Sequence, residues 1–257
     1  MSADHSWHPA LLAPAEPGRR NRRTIDGVLL AVGAFVVGLG AVVAEEASAE
    51  DLAVERALVT LLGWAPAFWR VALVGVLGLA LTIVADVLVQ RRWDLVRDLT
   101  VALAVVIVLA PFLGRLVDAD WSPIEAHPWS RWGFPELRLA FAAAVLVVAE
   151  PEVTRPVWRL AAWLVPLAAV GTVTLGAASP SRALAGLALG LAAGAFVRLA
   201  FGSAAGVPPT ERVRDALTSL GVEVGALAAS ERQRVGAAVF VGRGANGSPL
   251  TVRVLGR

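Results

Sequence analysis

The chain reads as an all-α polytopic membrane bundle with a small cytoplasmic α+β tail, and three observations predict this. Of its 257 residues 57% are hydrophobic and only 17% charged, with a mean hydropathy of +0.67. A soluble domain cannot hide that much apolar surface. Apolar stretches of near-spanning length recur between polar turns, and about 20 such residues cross a hydrocarbon core of ~30 Å. The charges also sort by loop. All 23 basic residues are arginine, and there is no cysteine, which excludes disulfides and thiolate metal sites.

Residues 1–23 are polar, contain proline and end in "RRNRR", which predicts a disordered basic N-terminus. The next stretch, "TIDGVLLAVGAFVVGLGAVVA", is long enough to span. It is longer than the core of a secretory signal, although "AVVAEEASAE" leaves a cleavage pattern open. "AEDLAVERALVTLLGWAPAFW" places Leu52, Leu58, Leu61 and Leu62 broadly opposite Glu50, Glu55 and Arg56, as in a helix lying in the outer interface. Further spans are expected at about 68–90, 99–116, 135–150, 157–176 and 180–201. The loop between the third and fourth carries Trp121, Trp129 and Trp132 as an interfacial belt. Pro151 and Pro156 break the chain after the fourth. Pro166 is expected to kink the fifth, and Ser179 with Pro180 to start the sixth.

Six crossings put both ends of the 24–202 domain on one side. Arg19, Arg20, Arg22, Arg23, Arg91, Arg92, Arg97, Arg155 and Arg159 fall on that side. Glu45, Glu46, Glu50, Asp51, Asp118, Asp120 and Glu125 fall on the other. The positive-inside rule then makes both termini cytoplasmic in a plasma-membrane protein. After a 203–209 linker, residues 210–257 carry a capped amphipathic helix, "TERVRDALTSLG", and a hairpin signal around Asn246-Gly247.

Several residues could carry chemistry. Gly186, Gly190 and Gly194 recur every fourth residue, a face for close helix packing in lipid. Asp86 lies one turn from Arg91 and Arg92 and is expected to pair with one of them. His5, His8 and His127 are scattered among polar segments, so no metal ligand set is expected, and neither a cofactor nor a nucleic-acid partner is implied. Arg138 stands one turn into an apolar helix, in "RWGFPELRLAF". It must be paired, reach water or bind something.

Read together, "FPELRLAFAAA" and "VTLGAASPSRALAGLALG" resemble the type-2 phosphatidic acid phosphatase superfamily, six-span enzymes whose motifs meet at the outer membrane face. Pro135, Glu136, Leu137 and Arg138 stand where the family has P-S-G-H. Gly171, Thr172, Ala178 and Arg182 stand at chemical positions of its third motif, followed by Leu184, Ala185 and Gly186 of the scaffold. Arg115 is the basic residue nearest to the missing first motif. The resemblance implies a scaffold without catalysis. Ala178 cannot attack phosphorus as the family's histidine does, and an arginine is no general acid at neutral pH. The bundle followed by "ALTSLGVEV…AAVFV…LTVRVLGR" also resembles the N-terminal part of actinobacterial lysylphosphatidylglycerol synthase and flippase-like membrane proteins. There a kinase-like lobe and a further membrane domain follow. Arg253 falls where that lobe's phosphate-binding lysine would stand.

These resemblances imply a non-catalytic module that positions anionic membrane lipid for a lipid-handling protein, with Arg138, Arg182 and Arg115 as phosphate ligands. The alternatives are a structural anchor for a cytoplasmic lobe and an active lipid phosphatase. On the anchor reading, Arg138 snorkels to water and pairs with Glu136, Asp118 or Asp120.

Overall fold

The computed structural model describes residues 11–12, 20–21, 24–45, 49–117, 132–204, 210–230, 237–244 and 246–255. These form two units, Met1–Ala15 with Arg22–Ser203, and Glu16–Asn21 with Ala204–Arg257.

The first unit is a helical bundle. Its helices are α1 (Thr24–Glu45), α2 (Ala49–Leu62), α3 (Pro66–Val89), α4 (Trp93–Leu116), α5 (Leu137–Ala149), α6 (Arg155–Thr174) and α7 (Pro180–Phe201). Five of them, all but α2 and α5, are long and apolar enough to cross a membrane. At 1.5 Å per residue they reach roughly 30–36 Å. The chain is a multi-pass helical membrane protein.

α5 departs from the expected fourth span. Its 13 residues extend only about 20 Å. Gly133 (φ 100°) and Pro135 precede it, and Pro151 follows its last turn, so breakers hold it short. All its residues except Phe141 are buried, against α3, α4, α6 and α7. A helix apolar on every side belongs in a core, and one walled by protein needs no full hydrocarbon length.

Glycines set the helix directions. A Cβ at Gly186 would lie 2.3 Å from the Glu136 carbonyl oxygen, one at Gly190 2.3 Å from that of Ala140, and one at Gly194 2.6 Å from Val147 Cγ1. Residue numbers rise together, so α5 and α7 run parallel with almost touching backbones. Gly33 meets Ala188 and Ala192 while Gly40 meets Ser181 and Ala185, so α1 runs antiparallel to α7. Gly171 against Trp69 and Gly75 against Leu164 make α3 and α6 antiparallel.

Other expectations need correction. Ser179 occupies the N-cap of α7 but makes no side-chain cap. Its Oγ lies 3.0 Å from Ser181 Oγ, and Asp51 of α2 does the capping. The Asp51 carboxylate accepts from the Ser181 N–H at 2.9 Å and the Ser181 hydroxyl at 2.8 Å. α2 has no buried residues. Its far end is tied by Trp69 Nε1, which donates to the Leu62 carbonyl at 2.8 Å. The third span begins earlier than expected, at Trp93, and so carries Asp94, Arg97 and Asp98. Within the N-terminal segment expected to be disordered, Leu12 is buried and bridges Val153. The Leu11 carbonyl there accepts from the Thr154 N–H at 3.0 Å.

The second unit holds α8 (Thr210–Ser219) and the antiparallel sheet β3 (Val224–Ala229), β4 (Ala237–Gly244) and β5 (Pro249–Leu255), in the order β3-β4-β5. Arg20–Asn21 and Ser203–Ala204 are short strands, β1 and β2, so the expected 203–209 linker starts within a strand. The β4–β5 turn has Gly247 at φ 78°, a left-handed conformation that suits glycine. The core of this unit is small: Val213, Leu227 and Phe240, with Leu217, Val252 and Val254 packed against them. β3 escapes sequence reading because "VGALAA" carries little β-branched patterning.

Candidate functional site

The segment entering α5 is built around two charges. Glu136 is the N-cap of α5, in extended conformation. Its N–H donates to the Arg182 carbonyl at 3.2 Å, and its own carbonyl accepts from the Ala140 N–H at 3.1 Å. The α5 and α7 starts are thereby tied together, which brings the two stretches carrying the phosphatase resemblance into contact. Arg138, two residues on, turns back to Glu136. Its Nε bonds Oε1, its Nη2 donates to Oε2 at 3.1 Å and also approaches the Ala177 carbonyl at 3.5 Å. The Trp132 ring covers the guanidinium, with its centroid 4.8 Å from Cζ.

Glu136 is 0% exposed and Arg138 4%. Burying either alone would cost several kcal/mol. The two-pronged geometry, the carbonyl and the aromatic face together offset that cost. Arg138 therefore does not snorkel. Its charge is neutralised inside the protein by the nearest acid in sequence. Asp118 and Asp120 lie outside the described residues, as do Trp121, Trp129 and the three histidines.

The other candidates, Arg182 and Arg115, lie on α7 and α4. Arg182 is half-buried and reaches Glu136 through its backbone. Arg115 is exposed in the last turn of α4. Ala178 is buried, its N–H bonded to the Thr172 carbonyl at 3.1 Å. The nearby hydroxyls are bonded locally: Thr172 Oγ1 to the Ala169 carbonyl at 2.8 Å and Thr174 Oγ1 to that of Gly171 at 3.1 Å. Among the described residues, each of these hydroxyls is thus bonded to a main-chain carbonyl rather than to a side-chain base. Among the described residues no group of three or more His, Cys, Asp or Glu is placed to hold a metal.

A second charged cluster lies at the opposite end of the bundle, and sequence reading missed it. Arg198 of α7 is 4% exposed and Asp26 of α1 is 0% exposed, with Nε and Oδ1 at 3.1 Å. Arg198 Nη1 also donates to Glu150 Oε2 at 2.5 Å and to the Val147 carbonyl at 3.2 Å. Nearby, Arg92 pairs with Glu152 and Arg97 with Asp98 at 2.9 Å. Arg97 also lies over the Phe201 ring at 4.4 Å. The available signal was a single charge inside each apolar run, Asp26 in "TIDGVLL" and Arg198 in "AFVRLAF". Their pairing is a tertiary fact. Asp86 is corrected too: its partner is Gln90, whose Nε2 donates at 2.9 Å, rather than Arg91 or Arg92.

Comparison with family models, with curated proteins and with solved structures finds no match to this chain.

Proposed function

We propose that this chain is a non-catalytic integral membrane module that crosses the bilayer six times, with both termini cytoplasmic, and that anchors the α+β unit as part of a larger lipid-handling protein. Support for the sixth crossing comes from α5 running beside α7 from Arg182 to Arg198, about 24 Å of depth. The short helix thus joins the same two ends as its long neighbour. Support for the orientation is the gathering of Arg91, Arg92, Arg97, Arg155 and Arg159 at one end.

The observation that carries the non-catalytic reading is the buried Glu136–Arg138 pair. The position where a phosphatase of the resembled family needs a titrating acid holds a permanently charged group, already neutralised by its own carboxylate. The same pairing favours a structural anchor over capture of lipid phosphate by Arg138 and Arg182. A phosphate there would compete with a pre-bonded intramolecular carboxylate.

Two measurements test this. Purified protein should release no phosphate from phosphatidic acid, diacylglycerol pyrophosphate or polyprenyl pyrophosphate above a mock preparation. Because the chain lacks cysteine, single cysteines at Ser2, Glu125 and Ser230 report topology cleanly. Only the Glu125 site should react with an impermeant reagent outside intact cells. Outside labelling at Ser230 would overturn the six-crossing proposal.

A further inference from the structure

α2 has three sides, and they differ from those expected of its sequence. Asp51, Glu55, Leu58 and Leu62 follow one another at spacings of four, three and four residues, which puts them on one helix face. All four are half-buried. This is the side that meets the bundle: Leu58 packs against the main core, and Asp51 caps α7 through Ser181. Two acids and two of the leucines expected to face lipid thus lie together on the protein side. Val54, Ala57 and Leu61 form a second face, which Trp64 continues just past the helix end, and all four are exposed. Leu61 is 69% and Trp64 81% exposed. The third face holds Ala49, Ala53, Arg56 and Thr60, also exposed, and carries a charge and a hydroxyl.

The ends of α2 fix its direction. Ser181 stands in the first turn of α7, and Trp69, which donates to the Leu62 carbonyl, in the first turn of α3. These two starts lie at one end of the bundle, because Trp69 packs on Gly171 near the end of α6 and α7 follows α6 after a short turn. α2, about 21 Å long, is therefore laid across that end. Its 14 residues are too few to cross a bilayer, which takes about 20. It joins α1 to α3, both long and apolar enough to cross. Val42 near the end of α1 is exposed, as are Phe68 and Val71 at the start of α3. The face from Val54 to Trp64 continues that apolar surface through the connection. Tryptophan at this level marks the boundary between hydrocarbon and headgroups.

We propose that α2 is an interfacial helix, with Val54, Ala57, Leu61 and Trp64 immersed in the upper acyl segments of the surrounding lipid and Ala49, Ala53, Arg56 and Thr60 turned to headgroups and water. A helix with one apolar and one polar face lies in the plane of the interface. Lipid is the occupant because the apolar face is continuous with the outward surfaces of the two helices that α2 connects. The ties from Asp51 to Ser181 and from Leu62 to Trp69 hold the helix at a fixed level on the bundle, so its depth is set by the protein. The inference rests on α1 and α3 crossing the bilayer, and the leaflet is the outer one on the topology proposed above.

The test uses the full chain in phosphatidylcholine nanodiscs. Because the chain lacks cysteine, single nitroxide labels can be placed through Val54→Cys, Leu61→Cys, Ala53→Cys, Thr60→Cys and Phe35→Cys. All five positions are exposed, so the substitutions disturb little packing. Power-saturation electron paramagnetic resonance reads collisions of each label with oxygen, which concentrates in hydrocarbon, and with a neutral nickel chelate, which stays in water. The oxygen-to-nickel ratio at Val54 and Leu61 should be several times that at their chain neighbours Ala53 and Thr60. Equal ratios in the two pairs overturn the proposal. Low collision rates with both reagents at Val54 and Leu61 also overturn it, since they show a second copy or another protein seated on that face. Phe35, in the middle of α1, separates the two kinds of failure. A Phe35 label reached by oxygen upholds the crossing of α1 and confines a failure to α2, whereas one reached by nickel refutes the bilayer placement of α1 itself.

Discussion

Replacing Gly190 by alanine adds one methyl group where the bundle has least room. The new Cβ would stand 2.3 Å from the Ala140 carbonyl oxygen, 2.7 Å from Ala143 Cβ and 2.9 Å from the Ala144 nitrogen. Ordinary contact begins near 3.4 Å. Two of these atoms are α5 backbone, so no rotamer change relieves the overlap. α5 and α7 must part by roughly 1 Å, which forfeits a quarter to a half of each dispersion well along their seam. Overpacking costs about 1–3 kcal/mol, and a contact between backbones belongs near the top of that range. The better helix propensity of alanine returns about 1 kcal/mol. The net expectation is a loss of about 2 kcal/mol, or roughly 4–8 °C in Tm for a bundle of this size. Gly78→Ala is the control, since its Cβ meets nothing within 4 Å. It should be neutral or stabilising by up to about 1 kcal/mol. Thermal unfolding of both variants in the same detergent decides the matter. A Gly190→Ala protein as stable as Gly78→Ala would refute the close α5–α7 packing.

Glu136→Gln leaves the Arg138 charge buried without its carboxylate and should cost about 3–5 kcal/mol, read by the same unfolding assay. Glu136→Gln combined with Arg138→Met should recover most of that loss, and a double variant no better than the single would show that the pair is not the unit. Asp51→Ala removes the cap that α2 supplies to α7 and should cost about 0.5–2 kcal/mol. It should also raise protease sensitivity within α2, which buries no residue of its own. Amides of β4 and β5 should exchange faster than those of Ala183–Arg198, because the tail's core is a small cluster around Val213, Leu227 and Phe240 and small units bury too little to be stable. Equal protection in the two regions would contradict this.

The membrane class, the five long spans and the tail's helix and hairpin were legible in the sequence. Each depends on local composition: an apolar run of spanning length, a proline or glycine that stops it, an Asn-Gly turn. The glycine face at Gly186, Gly190 and Gly194 was legible too, because a repeat every fourth residue fixes one side of a helix whatever it meets. What stands against that face was not legible. Only the tertiary structure made α5 the buried centre of the bundle, since a short apolar run reads the same whether lipid or protein surrounds it. The charges divide in the same way. Sequence located Arg138 inside an apolar helix, but burial decided that its charge is met by Glu136 rather than by water. Asp26 and Arg198 are separated by almost the whole bundle in sequence. They meet because α1 and α7 pack antiparallel through Gly33 and Gly40. An ion pair's worth depends on distance and dielectric, and both are set by packing rather than by any local pattern in the chain.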